Sequence, residues 1–394
     1  MEKDILISGG GVAGLTAACL FGSAGYEVLC VDPTPPITNR DEDGADLRST
    51  AFLQPSVRIL ERAGLWHQLA DQATALQTMR IVDASGADGA LRATRDFDAN
   101  DISEEPFGWN LPNWLIRREL LARLESLPNV TFQPGIATTR MVARTVAAKT
   151  WLSDGSHVTS ALVVAADGRG SRMREMAGIG AKTKRYGQKA LAFAVTHDGP
   201  HENVSTEIHR TGGPFTLVPL PDYQGKPSSA IVWMENADRA VDLYEMSEDA
   251  FEAEMLDRSA GLLGPLRLAS KRTIWPIISQ IADRFSAKRL ALIAEAAHVV
   301  PPIGAQGLNM SLADMGLLLE LAEEHPLGSE AMLDAYDRKR RLEIRARVAG
   351  IDMLNRVSMS DAAWLKDLRS RGIGLLHDAG PIRKSLMQLG LGFR

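Results

Sequence analysis

The feature that most limits the fold is a glycine-rich turn near the start of the chain. Ile5-Leu6-Ile7 is a short run of aliphatic residues, typical of a buried strand. The turn Gly9-x-Gly11-x-x-Gly14 follows. Residues 15–24 are rich in Ala and Leu and are followed by Gly25, which predicts a helix with a glycine at its C-terminal end. Residues 28–31 form a second apolar run. Strand, turn, helix and strand make a βαβ unit, which predicts a parallel sheet covered on both faces.

The spacing of these glycines suits the binding of a dinucleotide. The first glycine permits a tight turn, the second lets the backbone approach a pyrophosphate, and the third lets the helix pack on the strand. Asp32 closes the second strand, where its carboxylate can accept a hydrogen bond from a ribose hydroxyl. A glycine turn alone also occurs without any ligand. The strand, the helix and the acid together predict a dinucleotide site.

The composition excludes several functional classes. The chain has 44 Lys and Arg against 49 Asp and Glu, so a general nucleic-acid binder is not expected. Cys19 and Cys30 are too few for a disulfide scaffold or a cysteine-rich metal site, and we expect both to be small buried side chains. The first residues lack the basic start of a secretory signal, and no uncharged apolar run approaches the ~20 residues of a membrane span. We therefore expect a cytoplasmic protein with no metal site.

Two later apolar runs each lead into an acid and a turn. Asp167-Gly168 follows the strand predicted over residues 158–166, although Asp-Gly is also a common turn dipeptide without a ligand. The run at residues 290–297 is expected to be a strand, contains Glu295, and is followed by a Pro- and Gly-rich turn at residues 301–308. Such a turn can place a carboxylate on a sugar hydroxyl and direct backbone N–H groups at an anionic ring system.

These three motifs, in this order, resemble those of the single-component flavoprotein monooxygenases, the aromatic hydroxylases. The glycine turn is similar to the dinucleotide fingerprint of that family, Asp167-Gly168 to its DG motif and Ala294-Glu295 to its GD motif. The similarity extends over nearly the whole chain. Further segments are similar to the ubiquinone-biosynthesis hydroxylase branch, namely residues 106–113, Tyr186-Gly187-Gln188, His201, Gly213-Pro214, Val218-Pro219-Leu220, Val232-Trp233, Leu368-Arg369, Gly372, Leu375 and Pro381-Ile382-Arg383.

The resemblance implies an FAD enzyme that hydroxylates an aromatic substrate with O2. Reduced flavin would form a C4a-hydroperoxide, whose distal oxygen would pass to an electron-rich phenolic ring. NAD(P)H or another electron donor would act as a transient reductant. No catalytic side chain is identified. The resemblance implies FAD contacts from the three motifs and from two arginines at family positions, which gives Gly9, Gly11, Val12, Ala13, Gly14, Asp32, Arg48, Arg118, Asp167, Glu295, Pro302, Gly304, Ala305, Gln306, Gly307 and Leu308.

One motif departs from the family pattern. The Gly-Asp pair is Ala294-Glu295 here, which adds a Cβ where the backbone passes the cofactor and a methylene to the acid. We expect FAD to bind, but more weakly than in relatives. The favoured substrate is a polyprenylated phenol on the way to ubiquinone. Two alternatives stay open: a hydroxylase of a small soluble aromatic compound, and a non-catalytic scaffold that has kept the fold.

The predicted fold is α/β, with a Rossmann-like FAD-binding domain on a parallel sheet, an inserted antiparallel β-rich substrate domain and a helical C-terminal part. The FAD-binding domain comprises residues 1–180, with a strand-rich excursion near 75–112, and residues 275–327; the substrate domain comprises 181–274 and the helical region 328–394. Residues 364–394 mix apolar and basic side chains, so they either pack on the FAD domain or contact the inner membrane or a biosynthetic complex. The oligomeric state stays open.

Two further polar features have simple structural explanations. His298 has no second His or Cys at metal-ligand spacing, and we expect it to bond with backbone groups of the turn. The basic run at residues 338–341 is surrounded by acids, which is typical of a solvated helix face.

Overall fold

The computed structural model describes residues 1–46, 48–86, 90–359 and 380–391. The strands in chain order are β1 (Glu2–Ser8), β2 (Val28–Asp32), β3 (Ser49–Leu53), β4 (Thr74–Leu76), β5 (Thr78–Asp83), β6 (Ala93–Asp98), β7 (Gly108–Pro112), β8 (Val130–Pro134), β9 (Thr138–Ala143), β10 (Ala148–Leu152), β11 (His157–Ala165), β12 (Ala181–Thr196), β13 (Val204–His209), β14 (Pro214–Tyr223), β15 (Lys226–Asn236), β16 (Arg267–Leu268), β17 (Thr273–Ala282), β18 (Ser286–Ala287), β19 (Leu290–Leu292) and β20 (His298–Val299).

The helices alternate with these strands in the first part of the chain and dominate its last part. They are α1 (Val12–Ser23), α2 (Gln54–Arg62), α3 (Trp66–Leu69), α4 (Asn113–Glu125), α5 (Arg172–Met176), α6 (Ala237–Glu245), α7 (Glu248–Arg258), α8 (Gln306–Glu324), α9 (Glu330–Met359) and α10 (Gly380–Leu391). Within the described ranges, no helix is long and apolar enough to cross a lipid bilayer.

The first sheet brings several strand ends together at one edge. Its order is β18-β19-β11-β1-β2-β8, with β10 and β9 added beside β11. The strands β19, β11, β1, β2 and β8 are parallel. The helix α1 packs on β1 and β2, and Cys19 and Cys30 are fully buried in this contact region, as predicted. Because parallel strands end at the same edge, the turns after β2, β1, β11 and β19 lie next to one another.

The second sheet is mainly antiparallel and uses its two faces differently. Its order is β20-β17-β12-β15-β14-β13-β5-β6, with β16 beside β12, and only the β13–β5 pairing is parallel among the strands described. On one face Phe193, Phe215 and Trp233 pack with Phe251 of α7. On the other face Ala190 and its neighbours join the core of the first sheet. The parallel sheet, the antiparallel sheet and the helical end confirm the predicted fold class.

A small antiparallel sheet, β3-β7-β4, contacts β14 of the second sheet and the helices α2, α4 and α8. The strands β5 and β6 come from the predicted excursion near residues 75–112 and join the second sheet. The strand β17 runs across the boundary drawn between residues 274 and 275. The domain boundaries themselves stay predictions.

One predicted strand is partly wrong. The run at residues 290–297 is strand only in β19, because Ala294 has a left-handed φ of 54° and starts a short 3-10 turn at Ala294–Ala296. The second half of this run is mostly alanine, which is compatible with a strand and with a turn, so the sequence pattern did not distinguish the two structures. The helices α9 and α10 agree with the helical C-terminal region. Residues 364–379, including Leu368, Arg369, Gly372 and Leu375, lie outside the described residues.

Candidate functional site

The first two predicted motifs lie in contact at the edge of the parallel sheet. Gly9 follows β1 with a φ of 114°, and a Cβ added there would lie 2.3 Å from the carbonyl oxygen of Ala166 and 2.8 Å from the backbone nitrogen of Asp167. A side chain at Gly9 is therefore excluded by the second motif.

The structure explains why glycine is required at only two of the three positions of the glycine-rich turn. At Gly14 an added Cβ would lie 1.8 Å from the Gly9 carbonyl oxygen, so α1 packs against the turn only because residue 14 has no side chain. At Gly11, by contrast, nothing in the described structure lies within 4 Å of an added Cβ, and φ is −69°. Packing of the chain explains Gly9 and Gly14, but it does not explain Gly11. The open space at Gly11 is where the backbone can approach a ligand.

The N-terminus of α1 is suited to bind an anion. Gly11 provides no side-chain cap, and the first turn carries no acidic residue. The first backbone N–H groups of a helix have no intrahelical acceptor, and the helix dipole adds positive potential there. A pyrophosphate is the kind of ligand that this position accommodates.

Asp32 shapes the same turn. One carboxylate oxygen accepts a hydrogen bond from the Gly10 nitrogen at 2.5 Å, and the other accepts one from the Thr34 nitrogen at 2.7 Å. The side chain is partly exposed. A carboxylate has about four acceptor positions, so a ribose hydroxyl can still bond to it.

Asp167 fixes the second turn. Its carboxylate oxygens accept hydrogen bonds from the Ser171 hydroxyl at 2.5 Å and from the Met173 nitrogen at 3.0 Å, which holds the start of α5. Gly168 has a φ of 80° and open space at its Cβ position. The acid of this motif thus positions the turn beside Gly9.

The third motif presents a second uncapped helix start. The helix α8 begins after Ala305, which has a left-handed φ of 55°, and it has no side-chain cap and no acid in its first turn. Gly307 has open space at its Cβ position, and Gly304, with a φ of 63°, has only the flexible amide of Gln306 nearby, at 3.8 Å. Pro302 is half-buried and Leu308 packs against the core.

Asn309 joins the third motif to the small sheet, a role that the sequence analysis missed. Its amide nitrogen donates to the carbonyl oxygens of Ala51 at 2.7 Å and Ala305 at 2.6 Å, and its oxygen accepts from the Leu53 nitrogen at 2.9 Å. The sequence signal that could have indicated this role is the position of an asparagine directly after the Gly-rich turn.

A buried ionic cluster lies beneath this turn. The Asp314 carboxylate bonds to His298 Nε2 at 2.7 Å, to Arg340 Nε at 2.7 Å and to the Ala294 nitrogen at 3.1 Å. Burial alone raises the pKa of Asp314, but the charges of His298 and Arg340 outweigh it, so this pKa lies below its usual value. The carboxylate therefore stays ionised and fixes the backbone of the third motif.

This cluster corrects two expectations. The partner of His298 is a carboxylate rather than backbone groups, because α8 places Asp314 directly against it. The basic run at residues 338–341 is not uniformly solvated, since Arg340 is 1% exposed and its neighbour Arg341 bonds to Asp337. The side of α9 that faces the core includes position 340, and the sequence run alone does not show this.

Arg48 lies between the motifs and the second sheet. It forms a two-bond ion pair with Asp46, at 2.7 and 2.8 Å, and its guanidinium lies 5.5 Å from the centre of the Trp275 ring. The hydrogen bond to Asp46 raises the pKa of Arg48 more than burial lowers it, and the charge of Glu295 acts in the same direction. The exposed Glu295 carboxylate is thus within electrostatic reach of Arg48.

The structure does not bring Arg118 to the other predicted residues. Among the described residues, its hydrogen bonds go to Glu119 and Gln72 at the surface. The preceding residue, Arg117, lies 3.5 Å from the Asp46 carboxylate that holds Arg48. Neighbouring positions on a helix differ by about 100° in direction, so Arg117 is the candidate that the sequence analysis missed.

Comparisons with known proteins agree with this geometry. A family model described as an FAD binding domain matches residues 2–350. Ubiquinone hydroxylase UbiL of Rhodospirillum rubrum is 33% identical, with 99% of this chain and 89% of that protein covered. The 3-demethoxyubiquinol 3-hydroxylase of Escherichia coli is 24% identical, with 99% and 98% covered. The crystal structure of p-nitrophenol 4-monooxygenase PnpA from Pseudomonas putida is similar in fold, with a TM-score of 0.80, 19% identity and 99% of both chains covered.

Proposed function

The chain belongs to the FAD binding domain family and is an FAD-dependent aromatic hydroxylase, and we propose that its substrate is a polyprenylated phenol on the route to ubiquinone. The predicted family, enzyme class and FAD cofactor are confirmed by the family match and by the similar hydroxylases. The substrate and the electron donor are proposals. The names of the two ubiquinone-related relatives support the substrate class.

The observation that supports FAD binding at this site is the pair of uncapped helix starts at Gly11 and Ala305. The N-terminus of α1 at Gly11 would hold the pyrophosphate, and Asp32 would accept a hydrogen bond from the adenosine ribose. The N-terminus of α8, from Ala305 to Leu308, would direct backbone N–H groups at the flavin ring. The Cβ-free space at Gly11 and Gly307 fits a bound group in both places.

When bound and reduced, FAD would supply the activation of O2, so that one oxygen atom is inserted into a ring C–H bond as a hydroxyl and the other leaves as water with two electrons from the donor and two protons. The chain's own residues bind and orient the cofactor and exclude water from the ring. Arg48, held by Asp46, would stand between the flavin and the second sheet. NAD(P)H is proposed as the donor, binding only transiently.

The second sheet offers a largely apolar floor for the substrate. Side chains alternate along a strand, and Leu191, Phe193, Ile231 and Trp233 pack in the cluster with α6 and α7. The other face of the sheet begins at Trp275, near Arg48, and extends across β12, β15 and β14. Its side chains are those of Ala190, Ala192, Ala230, Val232, Thr216 and Val218. Ala190, Ala192 and Ala230 are packed in the core, whereas Val232, Thr216 and Val218 are half-buried, and we propose that a neutral ring with an apolar tail packs against these three.

A small soluble aromatic acid is less well supported as substrate. Its carboxylate would need a fixed cation on this floor. At the β13 margin of the same face, Glu207 and His209 are bonded to each other at 2.8 Å. The six floor positions named above carry no basic side chain, and Arg48 at the Trp275 edge is already paired with Asp46, which supports the prenylated phenol over a small aromatic acid.

The test is turnover by the protein reconstituted with excess FAD. Purified protein with NADH or NADPH is given either a short-chain prenylated phenol or 4-hydroxybenzoate, and O2 consumption and product mass are measured. We expect substrate-dependent O2 consumption and the gain of one oxygen atom only with the prenylated phenol. Turnover of 4-hydroxybenzoate alone would contradict the substrate class. A flavin spectrum without hydroxylation of any phenol, with dithionite-reduced protein as well, would favour the non-catalytic scaffold.

A further inference from the structure

The long helix α9 is attached to the rest of the protein along one side only. Its 30 residues span about 45 Å at 1.5 Å per residue. The attached side bonds in turn to the parallel sheet, the third motif and the second sheet, through Tyr336 to Leu292, Arg340 to Asp314, Arg347 to Gln306, Asp352 to Lys184 and Asn355 to Gln188. The helix is therefore held rigidly, and its direction relative to the site is fixed.

The opposite side of α9 exposes apolar side chains. Leu342 is 75% exposed and Met353 is 69% exposed, whereas Leu354, which is 58% exposed, lies about 100° around the helix from Met353. Ala346 and Ala349 are exposed between them. At about 100° per residue, Leu342, Ala346, Ala349 and Met353 fall in one row along the helix. Two large apolar side chains and the two exposed alanines between them form a continuous apolar strip, and the exposure of this strip on a surface helix indicates a partner surface.

Three cations flank this apolar row. Arg338, Lys339 and Arg345 are exposed, and none of them forms an ion pair or hydrogen bond with any other residue that the structure describes. The two acids between residues 338 and 354, Glu343 and Asp352, also lie at the margins of the row, but their side chains are only 25% and 22% exposed and are paired with Arg340 and Lys184. The outward side of this part of α9 is therefore apolar along its middle, and the charges on it that have no partner among the described residues are positive.

We propose that this outward side of α9, residues 338–354, docks on the surface of a lipid bilayer that contains anionic headgroups. A helix with an apolar centre and basic margins lies in the interface plane, with its apolar side chains among the acyl chains and its cations at the phosphates. Among the described residues the row is the outer surface of a single helix, which suits a fluid planar surface better than a folded partner. The proposal does not depend on the substrate proposed above.

A second copy of the chain is a poorer occupant. Pairing two copies of this row would bring six cations together, while the nearby acids Glu343 and Asp352 are already bonded to Arg340 and Lys184, which is unfavourable. An acidic protein would satisfy the charges but would also need side chains shaped to the exposed leucine and methionine. The anionic bilayer satisfies both requirements without shape complementarity.

The test is flotation of the full-length protein with vesicles of phosphatidylcholine alone or with one-third phosphatidylglycerol. We expect binding to the anionic vesicles, weakened by added salt. Each interfacial cation contributes about five-fold, so the triple variant Arg338→Gln, Lys339→Gln, Arg345→Gln should bind on the order of 100-fold less. The double variant Leu342→Ser, Met353→Ser should bind less at every salt concentration.

The matched control is Val146→Ser, which removes a 79% exposed apolar side chain from the turn between β9 and β10. It should bind vesicles as the wild type does, and all variants should keep the wild-type melting temperature. Absence of wild-type binding, equal binding to neutral vesicles, or full binding by the triple variant would overturn the proposal. A change from dimer to monomer in the double variant, without loss of vesicle binding, would assign the row to a second copy and overturn it as well.

Discussion

Gly11 and Gly14 lie in the same turn, and an added methyl group meets opposite surroundings at the two positions. At Gly14 the Cβ would lie 1.8 Å from the Gly9 carbonyl oxygen, so the turn or α1 has to move. At Gly11 no atom of the described residues lies within 4 Å of the added Cβ, and the backbone φ of −69° suits alanine. The substitution Gly11→Ala should therefore leave the fold intact and place a methyl group where the pyrophosphate of FAD is proposed.

The expected magnitudes separate the two variants clearly. For Gly11→Ala, alanine is the poorer helix N-cap by roughly 0.5–1 kcal/mol, while the loss of unfolded-state entropy stabilises by about 0.4–1 kcal/mol. These two effects nearly cancel in the free energy of unfolding. A hydrogen bond to a charged phosphate contributes about 1.5–3 kcal/mol, so each one lost should raise the Kd of FAD by about 10- to 150-fold. For Gly14→Ala, overpacking costs about 1–3 kcal/mol or more in the free energy of unfolding.

Two measurements on each variant test this reasoning. Thermal melts of the cofactor-free protein report the fold, and titration of FAD followed by flavin fluorescence reports the Kd. Gly11→Ala should melt within a few degrees of the wild type and bind FAD poorly, whereas Gly14→Ala should melt well below it. Gly350→Ala on α9, another open position remote from the turn, is the control and should leave the Kd unchanged. If Gly11→Ala binds FAD as tightly as the wild type, the pyrophosphate does not lie at this turn.

Three further predictions follow from backbone strain, buried charge and buried thiols. Ala294→Gly should raise the melting temperature because it relieves the left-handed backbone strain, and it should tighten FAD binding because it removes the Cβ. The control is Ala260→Gly in the substrate domain, where φ is 52°, and it should raise only the melting temperature. Asp314→Asn should cost about 3–5 kcal/mol in urea unfolding at pH 7. Because the pKa of Asp314 is lowered on folding, its stabilisation is present above about pH 4 and lost as pH falls through the lower folded value, so the wild type and the variant should converge in acid. Burial raises the pKa of Cys19 to about 12 and that of Cys30 above its usual value, so neither thiol should react with a disulfide reagent at pH 8 until the protein unfolds.

The parts of the site that the sequence predicted are the local ones. A buried strand, a glycine turn and an acid lie within a few residues of each other, so β1, β2 and β11 and the turns after them follow from pattern alone. The residues that the sequence missed act across the chain. Asn309 bonds to Ala51 and Leu53 in a distant strand, and Arg340 reaches Asp314 from the next helix. Their partners depend on how helices pack, which a single sequence does not reveal.

The difference between Arg118 and Arg117 has the same origin. Both residues belong to one basic pair in α4, and the resemblance implied a flavin contact for Arg118 only. The contact of α4 with α1 orients the helix so that position 117 faces Asp46. The sequence motif therefore points to this turn of α4, and tertiary packing places Arg117 and not Arg118 beside the carboxylate that holds Arg48.

The unusual Ala294-Glu295 pair becomes understandable once Asp314 is considered. A left-handed alanine costs about 1–2 kcal/mol relative to glycine. The Ala294 nitrogen donates to the ionised Asp314 carboxylate, and a hydrogen bond to a charged group contributes about 1.5–3 kcal/mol, enough to hold the turn in this conformation. The backbone of the third motif therefore keeps its shape without the glycine. Any weakening of FAD binding must then come from the added Cβ and the longer acid, which is why glycine at position 294 is expected to improve affinity and not merely stability.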